Sequence, residues 1–345
     1  PVHNILSVLA GRVSGLQVTT VSGAPGSSIN LQLRGINSIA NGSDPMIVID
    51  GIPYPSQALN GVIGGGAGTS SSPLNTLNPS DIESIEILKD ADATAIYGSR
   101  GANGVILIST VKGKAGKTSV SANFYHGFGR ITRQMELLNT RDYLIMRREA
   151  FANDGANPTT ANAPDLLLWD TTRQTNWQSV LLGNTMHSTD AKVNVSGGSE
   201  LTQFVFGLGY HRETTVFPGD FGDNRKTTNL NVSHQSADKR FQLSVSATFA
   251  DYKNTLPQQD LVSAITLAPN SPKLYSSDGS LNWENGTWTN PLSRTEALFT
   301  TQTTNLISNI SASYKLRKGL WVKFNGGYNR LDNYDHSSTP KTAFN

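Results

Sequence analysis

The stretch FQLSVSATFA, residues 241–250, alternates strictly, with Phe241, Leu243, Val245, Ala247 and Phe249 on one parity and Gln242, Ser244, Ser246 and Thr248 on the other. Successive side chains of a β-strand point to opposite faces, so this is a strand with one apolar and one polar face. The same grammar runs through SVSANFYHGF (119–128), where Val120, Ala122, Phe124 and Phe128 share a parity. It returns in the rows Phe204, Phe206, Leu208, Tyr210; Leu230, Val232; Leu306, Ile310, Ala312, Tyr314, Leu316; and Leu320, Val322, Phe324, Tyr328. Val205, Ile307 and Trp321 are apolar exceptions on the polar parity. Two face-packed sheets of a sandwich would alternate in the same way, so the period alone leaves two architectures open.

The connections separate them. Strands are expected near residues 118–128, 189–198, 201–213, 225–236, 239–251, 303–316 and 319–332. Their links alternate between long segments and the tight turns GGSE, SADK and RKG. All tight turns then fall at one end and all long loops at the other, the pattern of an outer-membrane barrel with short periplasmic turns and long external loops. In that setting the apolar rows face lipid and their polar partners face the lumen. An odd number of strands leaves two open edges, whereas bacterial single-chain barrels close with an even number, so the wall is expected to continue beyond Asn345.

Composition excludes several classes. The chain has 345 residues, 16% of them charged, and a formal net charge of +2. The usual charged fraction is about 25%, and a nucleic-acid partner would call for a more basic chain. Cysteine is absent, which removes disulfides, thiolate catalysis and Cys-ligated metal. The most concentrated apolar runs, MIVI (46–49) and VILI (105–108), are strand-sized, so any membrane crossing is made by strands. The sequence opens at Pro1 with no charged n-region and no apolar h-region, so any targeting peptide is expected to have been removed or not included, and the sequence reads as an excerpt.

Residues 1–117 follow a different grammar of short helical and strand patterns. Ile5–Val18 predicts a short helix ending near Gly11 or Gly15, INLQLRG and PMIVIDG predict strands, and Pro79 and Ser80 open a helical turn before a strand at Ser84–Lys89. Asp90 is placed to cap a short Ala-rich helix, with Ala91, Ala93 and Ala95, closed by Gly98, and GVILISTV supplies the next strand. GVIGGGAGTSSS (61–72) lacks the Gly-Lys-Ser/Thr of a phosphate loop and reads as a flexible connection. This is a compact α/β unit, giving two domains, 1–117 and 118–345.

LNPSDIESIEILKDADATAIYGSRGANGVILISTVKG (77–113) closely resembles the signature region of the SusC/RagA-like TonB-dependent outer-membrane transporters. SVLAGRVSGLQVTTVSGAPGS, LQLRGINS and DPMIVIDGIPY match that family's other plug segments in order, and NVSGGSELTQFVFGLGYHRE resembles its early barrel hairpin. The resemblance implies a mainly β protein: a small mixed α/β plug followed by antiparallel strands of a barrel of about 22 strands when complete. It further implies residence in the bacterial outer membrane, uptake of an oligosaccharide or peptide, a SusD-like surface lipoprotein as lid, and energy from the TonB–ExbB–ExbD complex. No cofactor and no enzymatic activity are implied.

The signature places Arg34, Gly35, Asp50, Gly51, Tyr97, Gly98, Arg100, Gly101 and Gly104 in the plug. Arg34 and Arg100 are latch candidates that would pair with acids of the barrel wall, the alternative being local caps or surface salt bridges. Asp50 before Gly51 reads as a turn residue. Tyr54, Trp169, Trp177, Trp283 and Trp288 are candidates for substrate contact, since aromatic faces stack on sugars, although they could equally anchor loops. Asp220, Asp223 and Asn224 have calcium-ligand chemistry without EF-hand spacing, so a solvated loop is the plainer reading and no metal is expected. TRDYLIMRREAFANDG predicts a loop helix with Thr140 as N-cap and Tyr143, Met146 and Ala150 inward. Two other functions fit less well. A TonB-linked signalling receptor would require a further periplasmic domain, and a surface hydrolase would require a convergent nucleophile, base and acid set that the sequence lacks.

Overall fold

A computed structural model describes residues 5–33, 35, 44–56, 59–60, 70–89 and 95–345. The calls on Arg34, Asp90, Ala91, Ala93 and most of the glycine loop lie outside the described residues. No helix among the described residues is long and apolar enough to cross a membrane.

Among the described residues the N-terminal unit has eight short strands. β1 (Leu16–Thr20) and β2 (Ile29–Leu33) form an antiparallel pair. β3 (Met46–Ile49), β4 (Ile52–Tyr54), β7 (Ile82–Leu88) and β8 (Val105–Thr110) form a mixed sheet of order β4-β3-β8-β7. β5 (Leu59–Asn60) and β6 (Ser70–Ser71) make a two-residue ladder. Strands β3 and β8 run parallel and carry the two apolar runs MIVI and VILI, because both of their faces are covered. Their Ile47, Ile49, Ile106 and Ile108 pack with Leu6, Leu31, Leu33 and Leu74 in the plug core. At Gly104 the backbone has φ +90, and an added Cβ would stand 2.1 Å from Leu33 Cδ2, so the last glycine of GSRGANG is a packing requirement.

The first helix is shorter than its sequence pattern. It is a 3-10 turn over Ile5–Leu9; the chain then reverses at Gly11, and Leu16 and Val18 join β1. Around the signature, Ala95–Gly101 is likewise 3-10 and interrupted at Gly98.

Seven long strands follow in one antiparallel sheet whose spatial order is the chain order. They are β9 (Gly116–Gly129), β10 (Met186–Gly198), β11 (Thr202–Thr214), β12 (Gly222–Gln235), β13 (Phe241–Pro257), β14 (Leu298–Arg317) and β15 (Leu320–Ser338). Every expected strand is present. β13, β14 and β15 run further toward the long loops than the alternation indicates, and the ladder stays in register from Pro257↔Leu298 to Leu298↔Ser338. These extensions, such as ADYKNT and LDNYDHSS, carry polar residues on the outer face as well, which erases the period-two signal.

The apolar rows point away from the plug: Val120, Phe124, Phe128, Phe206, Leu208, Phe249, Ile310 and Phe324 are all exposed on the outer face. On β10 the outward residues are Val193 and Val195, while Lys192 turns inward and is buried. The apolar band is oblique to the register. One row of paired residues reads Phe124, Ala191, Tyr210, Lys226, Asp251, passing from apolar to charged between β11 and β12. A level band must step along the register in this way when strands are tilted, as in a membrane barrel. Two of the apolar exceptions are explained by the plug. Val205 and Ile307 are inward and buried, and Ile307 joins the plug core. Trp321 is exposed with the Lys315 ammonium 5.7 Å from its ring.

Candidate functional site: the seam between plug and wall

The inward face of β10–β14 meets the plug through a line of polar contacts. Lys192 Nζ lies 2.5 Å from Asp81 Oδ1 and also donates to Ser80 O at 2.5 Å. Asp81 is held at this place by the 3-10 turn Pro79–Asp81, which Asn78 caps by accepting from Ser80 N. Both side chains of the pair are nearly excluded from solvent, at 8% and 5% exposure. Asn229, with its amide turned to satisfy both ends, donates to Asp81 Oδ1 at 3.1 Å and to Gly207 O at 3.2 Å. Removing ions from water is costly, so an enclosed pair needs such additional donors to hold.

Around this pair the wall offers mainly amides. Arg225 Nη1 donates to Asn75 O at 2.8 Å, and Asn254 Nδ2 donates to Pro25 O at 2.9 Å. Asn305 Nδ2 reaches Tyr54 Oη at 2.7 Å and Thr76 Oγ1 at 2.8 Å, and Asn309 Nδ2 donates to Asp50 O at 2.7 Å. Sequence reasoning did not single out any of these wall residues. For Lys192, Asn229, Asn305 and Asn309 the available signal was parity, since each lies on the polar side of a stretch whose other side is apolar, whereas Arg225 and Asn254 lie where both parities are polar.

The ion pair observed between plug and wall thus has the opposite polarity to the one expected for Arg34 or Arg100: the plug supplies the acid and the wall the cation. Arg100 is exposed and has no salt bridge among the described residues. Asp50 does form the turn. It and Gly51 both have positive φ in a two-residue hairpin, and the Asp50 carboxylate accepts from Thr110 N and Oγ1 at 2.9 and 2.6 Å. Gly35, Gly51 and Gly98 are exposed, Gly101 is buried and Tyr97 is half-buried. Tyr54 does not face a substrate space. It is buried, donates to Pro73 O at 3.0 Å, and has its hydroxyl pKa raised by burial.

The external loops form a cap with its own apolar core. Trp177 and Trp288 are buried at 2% and 8% exposure among Leu181, Phe217, Leu256, Leu261 and Leu292. Their indole N–H groups donate to Ala268 O and Asn282 O, and Trp169, half-buried, donates to Thr287 Oγ1. These three tryptophans are thus loop anchors. Trp283 is half-buried. Ala24 of the plug packs against the same cluster.

A second loop cluster fixes the helix Thr140–Asn153. Its N-cap is Asn139, whose side chain accepts from Asp142 N, while the Thr140 hydroxyl donates to Arg173 O. The inward residues are Thr140, Tyr143, Leu144 and Arg147; Met146 and Ala150 are exposed, contrary to the periodic expectation. Asp165 accepts from Tyr143 Oη at 2.9 Å and from Arg147 Nε at 2.8 Å. Burial raises the Asp165 pKa, but the Arg147 and Tyr143 hydrogen bonds outweigh it and hold the carboxyl below its ordinary range. Burial and the carboxylate together push Tyr143 up to about 12.

The calcium reading fails on geometry. Asp220 is exposed and pairs with Arg212 at 2.6 Å, Asp223 turns inward beside His211, and Asn224 faces the opposite side of β12. Between the plug loop Ser22–Pro25 and the loop bases around Arg130, Phe217 and Val262 lies a cavity of about 360 Å³ at the external mouth.

A small mixed-sheet plug seated on the inner face of a tilted antiparallel wall defines a plugged outer-membrane-type barrel, here as a seven-stranded segment. The TonB-dependent Receptor Plug Domain family matches residues 1–105. The chain is 30% identical over 291 residues to the TonB-dependent receptor SusC of Bacteroides thetaiotaomicron, covering 83% of this chain and 27% of SusC. It is 33% identical over 300 residues to the TonB-dependent receptor P26 of Formosa agariphila, covering 85% and 28%. A structure of the RagAB peptide importer in its open-open state superposes with a TM-score of 0.79 at 23% identity, over 98% of this chain and 40% of that one. The chain belongs to the SusC/RagA-like TonB-dependent transporters, as a plug domain with barrel strands, and spans less than a third of the length of these curated relatives.

Proposed function

We propose that the full-length protein is a TonB-energised importer of a glycan or peptide nutrient across the bacterial outer membrane, with the plug gating the lumen. The observation that carries this reading is the seam. Among the described residues the plug rests on the wall through the enclosed Asp81–Lys192 pair, a hydrogen bond from the buried Arg225 guanidinium and a row of neutral amide hydrogen bonds, contacts that hold at rest and can exchange for water when pulled apart. SusC and RagA-type relatives make a SusD-like lipoprotein the expected lid and the TonB–ExbB–ExbD complex the expected source of force. Solute would first meet the protein at the external mouth, where the plug loop and loop cap enclose the cavity.

The test is uptake by cells expressing the full-length transporter with its lid partner, offered labelled malto-oligosaccharides and labelled casein-digest peptides. Import that stops when the TonB complex is removed is the expected result. Binding without import, accompanied by altered transcription, would sink the importer reading in favour of a signalling receptor.

A further inference from the structure

On the outward side of the wall, between the apolar rows and the long loops, a cation stands on each of three successive strands. Arg212 lies near the end of β11, Lys226 near the start of β12 and Lys253 near the end of β13. Each has the parity of an outward apolar residue of its own strand, Leu208, Leu230 and Phe249 respectively, and all three side chains are exposed. The register makes them diagonal neighbours. Lys226 pairs with Tyr210, two residues before Arg212, and Lys253 pairs with Asn224, two residues before Lys226. Such diagonal positions lie about 7–8 Å apart, within reach of long side chains. Tyr210, next to Arg212 on the same face, and Phe249 are exposed aromatics at the edge of the apolar rows, where membrane barrels carry an aromatic girdle between hydrocarbon and headgroups.

The acids nearby do not neutralise this cluster. Asp251 is the cross-strand partner of Lys226, but its carboxylate accepts from Gln302 Nε2 at 3.2 Å, and among the described residues neither Lys226 nor Lys253 makes a salt bridge. Arg212 pairs with Asp220 at 2.6 Å, and that acid is itself 80% exposed on the loop between β11 and β12. Further along the same margin the charges are matched within the chain, as in the Arg330–Asp332 pair at 2.7 Å on β15. Like charges side by side repel, and more strongly where a hydrocarbon layer lowers the local dielectric, so an anion seated among the three cations relieves them.

We propose that Arg212, Lys226 and Lys253 form a binding site for a phosphorylated glycolipid of the outer leaflet, its phosphate among the three cations and its acyl chains along Leu208, Leu230 and Phe249. The proposal rests on the outer-membrane barrel reading and is independent of which solute is carried. A phosphate has several acceptor oxygens, so one group bridges the two lysines as point charges, while the planar Arg212 fork exchanges the exposed Asp220 carboxylate for two phosphate oxygens. The apolar residues beside the cluster select the source of the phosphate, since a free phosphate or an acidic soluble protein would leave them unused.

The test places the full-length transporter in phosphatidylcholine nanodiscs doped with phosphorylated lipid A, with the same lipid A after removal of its phosphate, or with phosphatidylglycerol, and reads the retained lipid by native mass spectrometry. Wild type is expected to retain phosphorylated lipid A at least several-fold more than either other lipid, and less of it as salt is raised. The triple variant Arg212→Gln, Lys226→Gln, Lys253→Gln is expected to lose that preference. Lys226→Arg with Lys253→Arg should keep it, as should Arg240→Gln with Lys315→Gln and Lys318→Gln at the tight-turn margin. Equal retention of the phosphorylated and dephosphorylated forms, retention indifferent to salt, or a folded triple variant that retains lipid as wild type does overturns the site. The wild-type comparison decides alone if the triple variant does not fold. Preferential retention of phosphatidylglycerol overturns the glycolipid assignment. Wild-type protein that enters none of the discs as a folded barrel overturns the barrel reading, and the site with it.

Discussion

At the scale of single residues, the Asp81–Lys192 pair is the contact whose loss should be most visible. Removing one partner leaves an enclosed charge, which typically destabilises by about 3–5 kcal/mol, whereas replacing both with apolar groups of similar volume can be neutral. Lys192→Met should therefore loosen the plug, seen as faster proteolysis within residues 1–117 of the folded transporter, and Asp81→Leu with Lys192→Met should recover much of the protection. Equal proteolysis of single and double variants would contradict the pairing. The Asp165 cluster gives a pH prediction. A carboxyl held below its ordinary value contributes stability that is present above about pH 3.9 and is lost as pH falls through the lower folded value. A phenol raised to about 12 contributes stability that is full below about pH 10 and is lost as pH rises through about 12. Nicking of the loop 130–185 should thus rise in acid and again in strong alkali, and Asp165→Asn should flatten the acid arm. The ion pair shows what sequence could convey at this scale. Arginines in a plug motif suggested where a charge would be needed, but Lys192 lies in DAKVNVSGG, whose short alternation gives no sign that a plug acid waits opposite.

At the scale of elements, the strands were legible because lipid and lumen impose opposite chemistry on alternate residues. Leu243 faces outward and Ser244 inward, toward a cavity between plug and wall. An arginine on the lipid face costs about 2–4 kcal/mol at the midplane, so Leu243→Arg should impair assembly far more than Ser244→Arg, read as the folded fraction by heat-modifiable migration. The strand ends were less legible, since beyond the bilayer both faces are wet and the alternation has no cause. In the plug, Gly104→Ala would drive a methyl into Leu33 and strain a positive φ, which should destabilise the isolated packing of β2 on β8 by about 1–3 kcal/mol. Unchanged plug protection against exchange in that variant would show that the close approach is not required. The helix expected to end near Gly11 or Gly15 is a single 3-10 turn over Ile5–Leu9, and the strand beyond it, Leu16–Thr20, is defined by its pairing with β2 rather than by a local period.

At the scale of the whole molecule, the tryptophans mark the limit of sequence reasoning. Four indoles in long loops look like stacking platforms, yet whether loops fold onto one another depends on contacts between residues such as Trp177 and Leu261 that no local pattern joins. Trp177→Ala should cost about 3–5 kcal/mol of loop order, with increased amide exchange across all three long loops at once. Exchange confined to the loop around residue 177 would argue against a shared core.

Ala24 belongs to the plug but packs in that loop core, and the neighbouring Pro25 carbonyl is held by Asn254 of the wall. Outer loops, plug loop and wall are thereby joined at a point where one methyl and one carbonyl meet two different partners. Under the proposed importer function, a change in the loops from outside would alter the environment of that methyl, so solute occupancy at the cell surface and the tension that moves the plug would be thermodynamically reciprocal: a solute that eases release of the plug would bind more tightly when the plug is already loosened.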